Sequence, residues 1–346
     1  NMAEHHDYKA LEWVRGEIEE TLKQAQQSLE SFVENPEDST RMRFCLTHLH
    51  QVSGTLQMVE FFGAALLAEE MENLAQALLN HKVPQVADAQ EVLMRAILQL
   101  PLYLDQIKSG GRDMPVIVLP LLNDLRAARG ESLLSETALF KPDLDAGSEA
   151  APKEKISAEA LAQLPELLKK IRQLYQFALV GLIRNQDMPT NLGYMAKSLT
   201  KLEQLYSNTP MAQLWWVSAA LVAGVSRHDI ELGTSVKMLF GQLDRHLKDS
   251  IDSGADRNEP VPMDLLKNLL FYVARCKGDA PRIRKVKEAF KLDAALPSDE
   301  LLDSERRRVS GPDRSAITSV VRALLDELGT VKDTLDLFMR GQKSAT

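Results

Sequence analysis

The residues best placed to do chemistry lie between Cys45 and Leu78, in the run CLTHLHQVSGTLQMVEFFGAALLAEEMENLAQAL. Cys45, Leu49, Val52, Leu56 and Val59 recur at helical spacing and form one apolar stripe. At about 100° per residue His48 lies at the edge of that stripe, about 60° from its centre, while His50 is about 140° away and faces solvent. Thr47, Gly54 and Gln57 share the exposed side, with Ser53 at its margin. An exposed imidazole whose tautomer is fixed by a neighbour is a nucleophile at neutral pH. Gly54 is costly in mid-helix, by about 1 kcal/mol against alanine, and one turn after His50 it clears a side chain where a partner protein would approach. The plainer reading makes His50 a solvated residue and Gly54 a place where two helices of the fold come close.

Other chemistry is thinly represented. There is no Walker A run, GxGxxG, GxSxG or HExxH, so neither nucleotide binding nor these hydrolytic sites are expected. His48 and His50 diverge by about 200° on a helix, and His5 and His6 are no better, so no metal site is expected. His228 and His246 lack the glycine four residues on and read as solvated helix residues. Trp215 and Trp216 sit in an apolar run; they read first as core, with a partner-facing anchor as the sharper alternative. The cations Arg282, Arg284, Lys285, Lys287 and Lys291, and Arg306 to Arg308, form solvated faces or meet an acidic partner.

The elements that carry these residues read as helices throughout. A first helix spans about 8–33. A second opens at Ser39 as N-cap, a third ends before Pro84, and a fourth spans about 88–108. Short joints make these an up-down bundle, and a further helix from Leu121 to Arg129 packs against it. The stretch 141–156 has prolines, charges and no apolar period, and reads as a linker between a first domain at 2–140 and a second at 157–346. The second holds helices near 158–184, 190–206, 210–225, 229–252, 261–276, 280–291 and 313–340. The last of these runs almost to the chain end, which reads as a lead into further domains. The expected fold class is all-α, two helical-bundle domains.

Composition agrees. The 346 residues suit two domains, and 45% hydrophobic content supplies two cores. With 41 Lys and Arg against 49 Asp and Glu, the net charge of −8 argues against a general binder of nucleic acid or anionic membranes. No stretch reaches the length of a membrane span. Two distant cysteines, Cys45 and Cys276, fit a reducing cytoplasm rather than a disulfide scaffold.

The run His50-Gln51-Val52-Ser53-Gly54-Thr55, followed by Met71-Glu72-Asn73-Leu74, resembles the phosphoacceptor region of histidine phosphotransfer domains of CheA-type chemotaxis kinases. That resemblance implies His50 as phosphoacceptor and Glu72 as acceptor of its ring hydrogen bond, supported by Gly54, Ser53 and Gln57. Two departures stand out: the family's lysine is Ser53 here, and a second family histidine is Glu69. More widely, RMRFCLTHLHQVSGTLQMVEFFGAALLAEEMENL, VLPLLNDLRAARGESLLSET and LWWVSAALVAGV resemble the N-terminal region of CheA-like hybrid kinases of type IV pilus twitching motility and the related FimL scaffolds. This implies kinase-core and receiver domains as partners, in cis or trans, together with pilus-regulatory or chemotaxis proteins. It implies no cofactor of the chain's own, since ATP and Mg²⁺ would belong to those partners. The histidine kept at 50 places the chain with the kinase branch, as a phosphorelay module without a kinase core of its own. The alternative is a non-phosphorylated docking scaffold.

Overall fold

A computed structural model describes residues 8–309, 319, 321–326 and 337. The described residues are helical, with no β-strand among them. They form two compact units, one of residues 1–139 with 299–346 and one of 140–298.

In the first unit α1 (Tyr8–Glu34), α2 (Ser39–Met58), α3 (Phe62–Leu79) and α4 (Val86–Lys108) each pack on the next, and α1 closes onto α4. Each carries one apolar stripe, and the four stripes meet in a common core: Leu22 and Leu29 from α1, Cys45 and Leu49 from α2, Leu67 and Leu74 from α3, Leu93 and Leu100 from α4. The start of α2 differs from expectation. Asp38 is its N-cap, accepting from Thr40 N at 3.1 Å, and Ser39 is already helical. After a 3₁₀ turn at Pro115–Val118, α5 (Leu119–Ala128) packs on α3 and α4 as the added helix. A short α6 (Glu136–Leu139) follows.

The chain from 141 to 156 is not the open linker its composition indicates. It contains α7 (Leu144–Ala150), capped by Asp143, which accepts from Ala146 N at 3.0 Å. Gly147 lies so close to the Phe290 ring that a Cβ there would collide with it, and Lys291 pairs with Asp143 at 3.3 Å. The segment docks through a glycine and a cap instead of an apolar stripe, which is why periodicity does not reveal it. The proposed lead helix at 313–340 lies largely outside the described residues.

The second unit continues with α8 (Ala158–Ala162), α9 (Leu164–Ile183), α10 (Met188–Leu205), α11 (Ala212–Ser226), α12 (Thr234–Asp252), α13 (Met263–Arg275), α14 (Pro281–Ala289) and α15 (Leu292–Ala295). Helix α11 is apolar on all sides and forms the centre, touching α10, α13 and α14. Helix α16 (Asp299–Val309) belongs to the first unit and not to the second domain expected at 157–346. It buries Leu302 and Val309, and Arg306 donates to the Val116 carbonyl at 2.7 Å.

His246 on α12 makes this unit sensitive to acid. Burial lowers its pKa from the ordinary 6.5, against smaller opposing effects of Glu259 and Asp249, and its Nε2 has no hydrogen-bond partner among the described residues. The unfolded chain therefore takes up a proton that the folded chain resists. The stability linked to His246 is intact above pH 6.5 and declines as pH falls from there through the lower folded value. Thermal midpoints at about pH 7.5 and about pH 5.5 should show a larger acid-induced drop for wild type than for His246→Gln.

Candidate functional site

Helix α2 lies between α1 and α3, and this sets what its faces do. Cys45, Leu49, Val52 and Leu56 are buried, while Thr47, His50, Gly54 and Gln57 are exposed. Contact on both flanks widens the buried arc beyond a single stripe. Ser53, expected at the margin of the exposed side, is 4% exposed and part of the interior. Its hydroxyl does not join the His50 surface, which corrects its assignment as a supporting residue.

The α2–α3 turn brings Glu72 to His50. Nδ1 of His50 and Oε1 of Glu72 are 2.8 Å apart, with the histidine side chain 75% exposed and the glutamate 25%. With Glu72 ionised, Nδ1–H donates to it and the Nε2 lone pair is left for solvent or a partner. Within the Met71 to Leu74 run, Met71 and Leu74 are buried, which holds Glu72 at a fixed height on α3. Glu69 is exposed.

Gly54 decides between the two roles considered for it. A Cβ built there would meet nothing within 4 Å, so no helix of the described fold approaches this glycine. The space over it is open to another molecule. Large apolar residues missed by the sequence reading flank this surface: Phe44, Met58 and, at the start of α3, Phe62 are all exposed. Phe44 and Met58 lie about 100° and about 140° from the centre of the buried stripe, a displacement the sequence already contains.

Trp215 and Trp216 do not form a partner surface. They are 1% and 4% exposed inside α11, where Trp215 stacks near Tyr206 and Trp216 near Phe290 at centroid distances of 6.2 and 5.9 Å. The reason is the all-apolar surround of α11, which leaves no outward face. Both cysteines are free and buried, and burial pushes each thiol up to about 12, so neither is a nucleophile. No group of three or more His, Cys, Asp or Glu capable of holding a metal occurs among the described residues.

Comparison with known proteins bears on the whole chain. Residues 6–121 match the family model described as the FimL C-terminal domain, and residues 160–303 match the one described as the FimL scaffold protein second domain. Scaffold protein FimL of Pseudomonas aeruginosa is 34% identical over 338 residues, which cover 96% of this chain. The chain is homologous to the scaffold protein FimL. It spans 58% of that relative's length. No solved structure matches it. One match lies in the first unit and the other covers most of the second, running on into the start of α16, so the homology is not confined to the His50 bundle. Of the two related groups that the sequence resembles, these matches lie with the scaffold, whereas retention of His50 led to an expectation of the kinase branch. No helix of the described residues is long and apolar enough to cross a membrane.

Proposed function

We propose that this chain is a docking scaffold for cytoplasmic signalling proteins, with the exposed face of α2 as one docking surface. The observation that carries the reading is homology along both units to a protein named as a scaffold. The bare surface over Gly54, flanked by Phe44, Met58 and Phe62, supplies a place for it to act. A partner helix can lie against the glycine while the neighbouring exposed apolar side chains bury area, the usual anatomy of a protein contact. The partners implied by the sequence resemblance are receiver and kinase-core domains of a chemosensory system that governs type IV pili.

A second reading is favoured by one distance. The 2.8 Å contact between His50 Nδ1 and Glu72 fixes the tautomer that leaves Nε2 nucleophilic. On this reading Nε2 attacks the phosphorus of a receiver's aspartyl phosphate, the P–O bond to the carboxylate breaks, and phosphohistidine forms while Mg²⁺ stays with the receiver. Ser53 is buried and Glu69 adds negative charge, so neither of these positions supplies a cation beside the incoming phosphoryl group.

A photo-crosslinking side chain at Gln57 tests the docking face, with one at exposed Glu20 on α1 as control. The scaffold reading predicts adducts with a receiver or kinase-core domain from Gln57 and few from Glu20. Equal yields from both positions would remove α2 as the docking face. Labelled phosphate transferred to wild type but not to His50→Gln would establish the second reading in its place.

A further inference from the structure

Helices α9 and α10 come so close that a Cβ on Gly181 would collide with Asn191. Their outer faces leave an open groove of about 660 Å³. Three large apolar residues line it: Phe177 is 67% exposed, Val180 45% and Tyr194 38%. The rings of Phe177 and Tyr194 meet edge to face with centroids 6.2 Å apart, so this is one continuous patch. Single exposed apolar residues need no explanation, but a contiguous cluster marks an interaction site. Asn191 on the groove wall is 5% exposed, and its Oδ1 has no donor among the described residues.

Charge identifies the occupant. At about 100° per residue, Lys170, Phe177, Val180 and Arg184 fall within about 80° on α9, and Tyr194, Lys197 and Lys201 within about 60° on α10. The pairing of Gly181 with Asn191 across a short turn makes the helices antiparallel. Lys170 and Lys201 therefore lie toward one end of the apolar patch and Arg184 at the other. The side chains of Lys170, Arg184, Lys197 and Lys201 form no ion pair or hydrogen bond with a described residue. Of the nearby carboxylates, Glu166 is engaged by Lys169 at 3.5 Å, and Asp187 lines the Arg184 end. An apolar strip with unpaired cations at its ends, in a chain of net charge −8, is complementary to an amphipathic helix with acidic flanks.

We propose that the α9–α10 groove binds an acidic amphipathic helix of a partner protein, its apolar face on Phe177, Val180 and Tyr194 and its carboxylates against the lysines and Arg184. The proposal rests on the scaffold reading and gives the second unit its own binding surface.

The test uses the full chain and a fluorescent helical peptide of about 20 residues, with leucines on one face and glutamates on the other, beside a counterpart carrying lysine at every glutamate position. The acidic peptide should bind with an affinity that falls as salt rises, and the lysine peptide should not. Phe177→Glu and, separately, Lys170→Glu with Lys201→Glu should each weaken binding about tenfold or more. All three positions are exposed, and circular dichroism confirms the fold; Tyr194→Ser is the second apolar variant should Phe177→Glu unfold. Equal binding of the two peptides, or binding that ignores these variants, overturns the proposal. So does a dimer that Phe177→Glu converts to monomer in sedimentation, because a second copy then covers the groove. If the peptide fails while binding at the α2 face persists, the groove assignment alone falls; loss of both removes the scaffold reading.

Discussion

Glu70→Ala should lower the unfolding free energy by about 3 kcal/mol, read as a reduced urea midpoint with an unchanged slope. Glu70 is 4% exposed and accepts from Arg126 Nη1 at 2.8 Å and Arg129 Nη2 at 3.3 Å, tying α3 to α5. Both arginine side chains are also largely buried. Removing the carboxylate leaves the two guanidinium groups with only the longer, more exposed contacts to Glu131, at 3.9 Å from Arg126 and 3.4 Å from Arg129, and the loss of their buried anion accounts for most of the cost. Glu70→Gln keeps an acceptor oxygen and should cost roughly half as much. A change below about 1 kcal/mol for the alanine variant would mean that solvent screens the pair as it screens surface ion pairs.

Asp113→Ala should be similarly damaging, by about 2–4 kcal/mol, through a different physical route. The N-cap position of α3, Phe61, offers no side-chain acceptor. Asp113 supplies one from fifty residues away, accepting from Gly63 N at 3.0 Å, Ala64 N at 2.9 Å and the Tyr103 hydroxyl at 2.8 Å. Gly63 permits this, because a Cβ there would sit 2.6 Å from Oδ1 of Asp113. Burial and the adjacent carboxylate together hold the Tyr103 phenol well above its ordinary pKa, so it stays a donor. Without Asp113 the first turn of α3 loses its cap and the buried phenol its shorter hydrogen bond, keeping only the Met114 carbonyl at 3.3 Å. Amide exchange at residues 63–66 should quicken in the variant, and Asp113→Asn, which retains a carbonyl oxygen, should recover part of the stability.

Helix α3 positions Glu72 against His50, so these two anchors belong to the candidate site as much as to the fold. The Cys45 stripe made the direction of His50 legible, and the spacing to Glu72 was legible through the resemblance. Glu70 carried a sequence signal that was passed over: it lies about 40° from Leu74 around the helix, inside the apolar face. Asp113 carried none, since it lies in a loop and caps a helix fifty residues distant, and periodicity describes only local order. The docked segment at 141–156 was hidden for a related reason. A glycine under an aromatic ring and an aspartate cap leave no repeating pattern. Trp215 and Trp216 were ambiguous because α11 has no polar face from which to judge direction.

The division of the chain shows the same limit. Composition placed a break after residue 140, whereas the structure divides after Leu139 and returns α16 to the first unit through Leu302, Val309 and the Arg306 bond to Val116. None of these is distinguishable in sequence from an ordinary amphipathic helix of the second unit.

The central claim is that the α2 face docks proteins whether or not His50 carries a phosphoryl group. Calorimetric titration of the full chain with a receiver domain of the chemosensory system tests it most directly, comparing wild type, Gly54→Trp and His50→Gln. A Cβ at Gly54 meets nothing within 4 Å, so a side chain can leave the helix there, and an unchanged circular dichroism spectrum and thermal midpoint for Gly54→Trp separate obstruction of a partner from damage to the fold. The account predicts that Gly54→Trp weakens binding by about tenfold or more while His50→Gln changes it by no more than about threefold. Unaltered binding by Gly54→Trp, or loss of binding confined to His50→Gln, would contradict it.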